Sequence, residues 1–292
     1  GGFEGKNGVV RVHDPVHEIV TLADYRIRHG QYKTDPDLQA AHLGVPWICT
    51  WDDHESANNS WSGGAENHTP EKEGSWAARK AAAQTAYDEW MPVRMNGTAA
   101  LGDGTRLFRS LRFGRLAELS MLDLRTYRDE QVAYPAVDAR VSDPARTITG
   151  RAQLDWLKNA VATTQVQWKL VGNPVMIAPV LIPPLDPQTT GAVTALLGIP
   201  REGIPYNADQ WDGYAADRRR LLESLRRNRV DNVVFITGDI HSSWACDIPA
   251  DPANYPGGGS VATELVGTSI TSTNIDDMLN VPANTAGVAV SS

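Results

Sequence analysis

Trp51-Asp52-Asp53-His54-Glu55, followed by Asn58-Asn59, sets four ionisable side chains in a row at the end of an apolar run from Val45 to Trp51. Burying such a row without partners is costly. A cation would resolve the cost, because carboxylates are hard oxygen ligands and imidazole suits iron, zinc or manganese. The same letters also describe an exposed acidic turn with an Asp capping a helix. Gly238-Asp239-Ile240-His241 repeats the grammar, with the apolar run Val233 to Thr237, a small residue, then Asp and His two apart. In an extended continuation, positions two apart project to one side, so Asp239 and His241 could reach one cation. Sites in open α/β sheets gather at the carboxyl ends of strands. Two such strand ends favour one shared site over two acidic turns. The chain has no GxSxG elbow, no Walker-type loop and no CxxC pair. That removes the usual serine-hydrolase, nucleoside-triphosphate and zinc-ribbon readings.

The elements that must position these residues are interleaved strands and helices. Val45 to Trp51, Trp168 to Gly172 and Val233 to Thr237 read as buried strands, and Leu116 to Leu124 as a fourth. Asn173-Pro174 ends the second of them. Ser75 to Trp90 is an Ala-rich helix stopped before Pro92. Gln153 to Val161 carries Leu154, Leu157 and Val161 at helical spacing. Asp217 to Arg229 sets Leu221, Leu222 and Leu225 opposite an Arg-rich face, and Arg218-Arg219-Arg220 reads as solvated. The pattern predicts an α/β protein with a layered sheet core. Gly63-Gly64 and Gly257-Gly258-Gly259 mark loops, and Pro183-Pro184-Leu185-Asp186-Pro187 opens a surface excursion. There is no internal repeat.

The chain has 292 residues, enough for one large domain that needs no cross-links. It carries 27 Lys and Arg against 35 Asp and Glu, a net charge of -8. That balance argues against a general nucleic-acid surface. It does not exclude a phosphate substrate, since a bound metal reverses the local field. No apolar run is long enough for a membrane-spanning helix. Cys49 and Cys246 are too few for a disulfide framework, and Cys49 reads as a small core residue. The opening Gly1-Gly2-Phe3 lacks an initiator Met and an export segment, so it reads as something other than a natural start.

Several stretches together resemble the PhoD-type alkaline phosphatase/phosphodiesterase family, within the calcineurin-like metallophosphoesterases. They are Trp51 to Glu55 with Asn58-Asn59, Ala86 to Arg94, Leu122 to Arg128, Gln167-Trp168 through Asn173, Gly238 to Trp244, and Glu264 through Ser272. The similarity covers nearly the whole chain, so residues 1–292 form one domain. The resemblance implies a four-layer α/β/β/α sandwich, incomplete at the N-terminus and cut short at both ends. It implies metal-dependent hydrolysis of phosphomonoesters or diesters, with Ca2+ and Fe3+ as cofactors and an extracellular or periplasmic location. Asp53 and Asp52 then stand as metal ligands, Asp239 and His241 as the late ligand pair, and His54 beside the leaving-group oxygen. Asn59 and Arg79 look like phosphate-holding groups. Asn173 either lines the site or caps its strand end. Arg125 and Arg128 read as stiffening the fold through ion pairs with Asp123 and its neighbours. His13, His17, His29, His42 and His68 match no metal motif.

The family also carries, upstream, a Cys ligand and a Gly-Asp-Tyr-type strand end that hold its first metal. Nothing before Asp52 supplies them: Asp24-Tyr25 lies in a helix-like stretch. By this reading the chain holds about half of a two-metal site. A phospholipase D-like diesterase of the same family is the near alternative. A non-catalytic binding or scaffold derivative of the fold is the alternative from another class.

Overall fold

The computed structural model describes residues 11–93, 95, 106–133, 139–182, 204–251, 254, 257–270 and 272. The surface excursion expected from Pro183 onward lies outside these residues. The helices are α1 (Leu22–Lys33), α2 (Pro36–Gly44), α3 (Pro70–Glu73), α4 (Trp76–Trp90), α5 (Arg151–Thr163) and α6 (Ala215–Arg227). The strands are β1 (Arg109–Phe113), β2 (Ala117–Met121), β3 (Trp168–Asn173), β4 (Leu181–Ile182), β5 (Ile204–Pro205), β6 (Val233–Thr237), β7 (Trp244–Pro249) and β8 (Ser260–Val266).

Local chemistry explains the helix ends. Thr21 and Asp24 form a reciprocal capping box at the start of α1, so Asp24-Tyr25 is helical as expected. Asp35 caps α2, with Pro36 at the first helical position where its missing N–H costs nothing. The Ser75 hydroxyl accepts from Ala78 N and starts α4. The helix closes with Met91 N donating to Tyr87 O just before Pro92. α6 stops two residues earlier than its charge pattern suggested, and Arg229 beyond it has a left-handed φ of 52°.

The main sheet has six strands in the order β1-β2-β3-β6-β8-β7. The central pairings β2–β3, β3–β6 and β6–β8 are parallel, while β1–β2 and β7–β8 are antiparallel. β4 and β5 form a separate antiparallel pair. The architecture is the α/β class that the sequence predicts. Among the described residues, the β4–β5 pair is the only sheet besides the six-stranded one. The main core gathers Leu154, Leu157 and Val161 of α5 and Leu221, Leu222 and Leu225 of α6 with Val171 and Phe235 of the sheet. Tyr25 packs with Ala83 and Ala86 between α1 and α4 in a second cluster.

Two expectations need correction. Val45 to Trp51 is extended but joins no ladder. Pro46 has no N–H to offer, Val45 and Ile48 are exposed, and the segment is tied down by side chains instead. Arg109 Nη2 donates to Cys49 O at 2.7 Å, and the Thr50 hydroxyl donates to Leu122 O at 2.7 Å. Cys49 itself is buried, as expected. The Arg run is also not uniformly solvated: Arg218 is buried and ion-paired with Asp212, which is buried too.

Candidate active site

Residues 52–60 form a tight turn built around Asp53. Its Oδ1 accepts from His54 N and its Oδ2 from Asn59 N, both at 2.8 Å. Its carbonyl accepts from Ser56 N and Ala57 N. Asp53 is therefore buried yet satisfied, which merges the two sequence readings: it caps a turn and also presents a carboxylate. Asn59 adopts a left-handed φ of 49° to close this turn, a conformation Asn tolerates better than most residues. Its amide donates to Glu66 Oε2. His54 carries an imidazole 80 % exposed, with Nε2 4.0 Å from Asp53 Oδ2, so the ring is open to an incoming group.

The exit of β2 supplies the counter-charge. Asp123 Oδ1 accepts from Arg125 N and Thr126 N, bending the chain so that Arg125 turns inward. The Arg125 guanidinium donates from Nε to Asp52 Oδ1 at 2.5 Å. Its Nη1 and Nη2 reach the two oxygens of Asp209 in parallel at 2.9 and 2.7 Å. Arg128 joins Asp209 at 2.9 Å and donates to the Tyr214 hydroxyl at 2.8 Å. Both arginines stiffen the fold as expected, but the expected partner was wrong. The Asp123 carboxylate is engaged in its own turn, and Asp209 takes the ion pairs.

Asp239 and His241 follow β6 in a different conformation from the extended one expected. Their φ values are 70° and 55°, and Ile240 N donates to Gly238 O across Asp239. This is the rarer form of γ-turn, strained for any residue with a side chain. Among the described residues the Asp239 carboxylate has no hydrogen bond or ion pair. Burial, then the carboxylates of Asp52 and Asp209, push its pKa up to about 8; Arg125 works against the rise, and Asp53 adds to it. The four aspartates therefore share one electrostatic environment. Asp52 is also held above the ordinary carboxylate range by burial, in spite of Arg125. Burial does the same to Glu55.

No three His, Cys, Asp or Glu side chains among the described residues stand together as a ready-made cation cage. The donor chemistry nevertheless fits a hard or borderline cation. Asp239 is a carboxylate without a donor among other carboxylates, and His241 is two residues on.

Two expected substrate groups are engaged in the scaffold. The Arg79 side chain is 0 % exposed, with Nη2 on Glu18 at 2.6 Å, Nη1 on Glu73 at 3.2 Å and Nε on the Tyr25 hydroxyl at 3.2 Å. Its donors brace α1 against α4 and leave no open face for phosphate. Asn173 is a strand-end brace, one of the two roles left open for it. Its Nδ2 donates to Val175 O at 2.6 Å and Thr237 Oγ1 at 3.0 Å, and its Oδ1 accepts from Trp211 Nε1 at 3.0 Å. Beneath it, Glu264 is fully buried and accepts from Ile177 N, Ala178 N and the Thr237 hydroxyl.

Asp209 was missed by sequence reasoning. It belongs to no motif, and the only available signal was that two inward arginines need counter-charges.

A turn carrying Asp-Asp-His, tied through Arg125 to Asp209, and an Asp-x-His strand end are set on a mixed α/β sheet. Known proteins share this chain's pattern. A family model described as PhoD-like phosphatase matches residues 2–291. Alkaline phosphatase D of Bacillus subtilis (strain 168) is 36 % identical over 278 residues, covering 92 % of this chain and 43 % of that protein. A solved structure titled "Structure of PhoD" superposes with a TM-score of 0.78 at 34 % identity, covering 91 % of this chain and 48 % of that one. The chain thus spans less than half the length of these relatives. With the match running over almost every residue, the chain belongs to the PhoD-like phosphatase family.

Proposed function

We propose that this chain forms the hydrolytic core of a metal-dependent phosphoesterase acting on phosphomonoesters or diesters. The observation that carries the reading is Asp239. A partly buried carboxylate, raised by burial and then by its neighbours and without a donor, stands in a strained turn at the end of a central strand. Strain of this kind clusters at functional sites, and a cation is the partner such a group lacks.

Asp53, Asp239 and His241 would hold the cation, with Asp52 a further acid beside them. Ca2+ suits the carboxylates, and iron suits a site that includes imidazole. A bound cation would supply a hydroxide at neutral pH and neutralise phosphoryl oxygens. The exposed His54 would give a proton to a leaving alkoxide. Asn59, at the rim of the same turn, would orient a phosphoryl oxygen if Glu66 releases its amide. Arg79 and Asn173 support the scaffold in this reading and do not touch substrate. Among the described residues no helix is long and apolar enough to cross a membrane.

The test compares Asp239→Asn and His54→Ala with the parent protein. Bound metal is measured together with hydrolysis of p-nitrophenyl phosphate and bis-p-nitrophenyl phosphate. Asp239→Asn should lose about 100-fold or more in metal affinity and in turnover together, as a ligand rather than a supporting group. His54→Ala should lose about 100-fold in turnover with metal retained. Unchanged turnover in Asp239→Asn would rule the reading out.

A further inference from the structure

Ser56 lies in the middle of the acidic turn. Its N–H donates to the Asp53 carbonyl, and its own carbonyl accepts from the Tyr25 hydroxyl of α1 at 2.6 Å. Among the described residues this is the one hydrogen bond that residues 53–60 make with any residue outside 52–66. Tyr25 is 2 % exposed, and its ring packs on Ala83 and Ala86 of α4, so the hydroxyl is aimed by packing. The same oxygen accepts from Arg79 Nε at 3.2 Å. A phenol carries one proton, so with Arg79 donating to the oxygen that proton is committed to Ser56. Burial raises the Tyr25 pKa in spite of Arg79, so the proton stays on the oxygen. Arg79 is fixed in turn by Glu18 ahead of α1 and by Glu73 of α3. The Glu73 carboxylate also accepts from Thr69 N at 2.8 Å and stands 3.1 Å from His68 Nδ1. Three helices thus converge on one guanidinium, and the hydroxyl carries that fixed point to the turn. Each bond in such a chain of donors polarises the next.

We propose that Tyr25 is a positioning residue: it passes the Arg79 brace to Ser56 and so fixes the pose in which the turn presents His54 and Asn59 to a phosphoester. This rests on the phosphoesterase reading above and deepens it. The turn is bonded internally around Asp53, but a self-bonded turn still pivots as a unit unless it is held from outside. Its leading end is pinned where Arg125 holds Asp52, and the chain beyond it where Ser62 N donates to Arg128 O at 3.0 Å. Both pins stand on the exit of β2. Two pins leave a rotation about the line that joins them, and Tyr25 supplies a third from α1. A misplacement of about 1 Å at a reacting group costs up to about 100-fold in rate.

The experiment uses Tyr25→Phe, which keeps the ring and removes only the oxygen. Hydrolysis of bis-p-nitrophenyl phosphate is measured together with amide hydrogen exchange, and circular dichroism confirms the fold. Tyr25→Phe should lose about 10–100-fold in kcat with KM within about twofold of the parent. The amides of Ser56, Ala57 and Asn59 should exchange faster, while those of β3 and β6 should not. Arg79→Lys keeps the charge, but one ammonium cannot serve Glu18, Glu73 and Tyr25 at once, so it should show the same changes to a smaller extent. It carries the test if Tyr25→Phe fails to fold. Leu157→Ala is the control, destabilised far from the turn, and should keep the parent's kcat and the parent's exchange at the turn. A kcat for Tyr25→Phe equal to the parent's, or a loss no larger than that of Leu157→Ala, would overturn the positioning role and leave the phosphoesterase reading standing. No hydrolysis by the parent protein would overturn both.

Discussion

Arg79→Met separates a structural arginine from a phosphate clamp. The substitution keeps most of the aliphatic stem but removes three polar contacts, to Glu18, Glu73 and Tyr25. Breaking a fully buried ion pair costs about 3–5 kcal/mol. Here only the arginine is fully enclosed; the side chains of Glu18 and Glu73 are 36 % and 17 % exposed and can regain water. That discounts the loss to about 2–3 kcal/mol. In a domain of this size each kcal/mol moves the melting temperature by roughly 2–4 °C, so a fall of about 4–12 °C is expected. The assay is thermal unfolding followed by circular dichroism, with inorganic phosphate binding measured below the transition. A melting temperature within about 1 °C of the parent, combined with weakened phosphate binding, would refute the reasoning and return Arg79 to the substrate.

Further outcomes follow from other groups. Asn173→Ala should cost about 2–3 kcal/mol, because it leaves the buried Trp211 Nε1 and Thr237 hydroxyl short of partners; a urea titration followed by tryptophan fluorescence reads it. Leu157→Ala removes a side chain with no exposure between α5 and the sheet and should cost about 2–5 kcal/mol in the same titration. Gly213→Ala would drive a Cβ into the Ala208 carbonyl, displacing the loop that carries Asp209; lower stability and weaker Ca2+ binding should appear together. Burial works against the charge on Asp209, but Arg128 and Arg125 outweigh it, so its pKa lies below the ordinary 3.8. A depressed carboxyl contributes stability that is present above pH 3.8 and lost as pH falls through the folded value. Asp209→Asn should therefore melt lower than the parent at neutral pH, and the gap should narrow in melts taken below pH 3.8.

Much of the scaffold was legible because its signals are local. The apolar runs of β3 and β6 mark central strands, although Trp168 and Ile236 on them stay exposed, and α4, α5 and α6 announce themselves by spacing and by Pro92. Val45 to Trp51 shows the limit of such signals. An apolar run says that a segment avoids water, not that it joins a ladder, and Pro46 was the warning. β1 was not read at all, since Arg-Ser-Leu-Arg-Phe lies at a sheet edge and carries no core signature. The acidic turn and the Asp-x-His strand end could be found because unpaired charge after apolar sequence is costly. Asp209 could not, because its meaning comes from an arginine 84 positions away. The left-handed φ at Asp239 and His241 was equally hidden, since neither residue type demands it.

The strand order also governs how the chain arrives at this state. β1–β2 and β7–β8 close over short stretches of backbone and lie at the two edges. In the middle, Ala117 must find Trp168, Lys169 must find Val233, and Val234 must find Thr263. Loop-closure entropy opposes these distant pairings until they are made, so the edge hairpins form early and the parallel centre forms late. Asp239 follows a central strand, and Arg125 follows the strand that β3 must meet. The aspartates are therefore scattered until the last ladder zips. A cation held as proposed by Asp53 and Asp239 would bind only the finished fold, and its affinity would add to the stability of that state alone. Refolding in Ca2+ should then slow unfolding while leaving the folding rate unchanged.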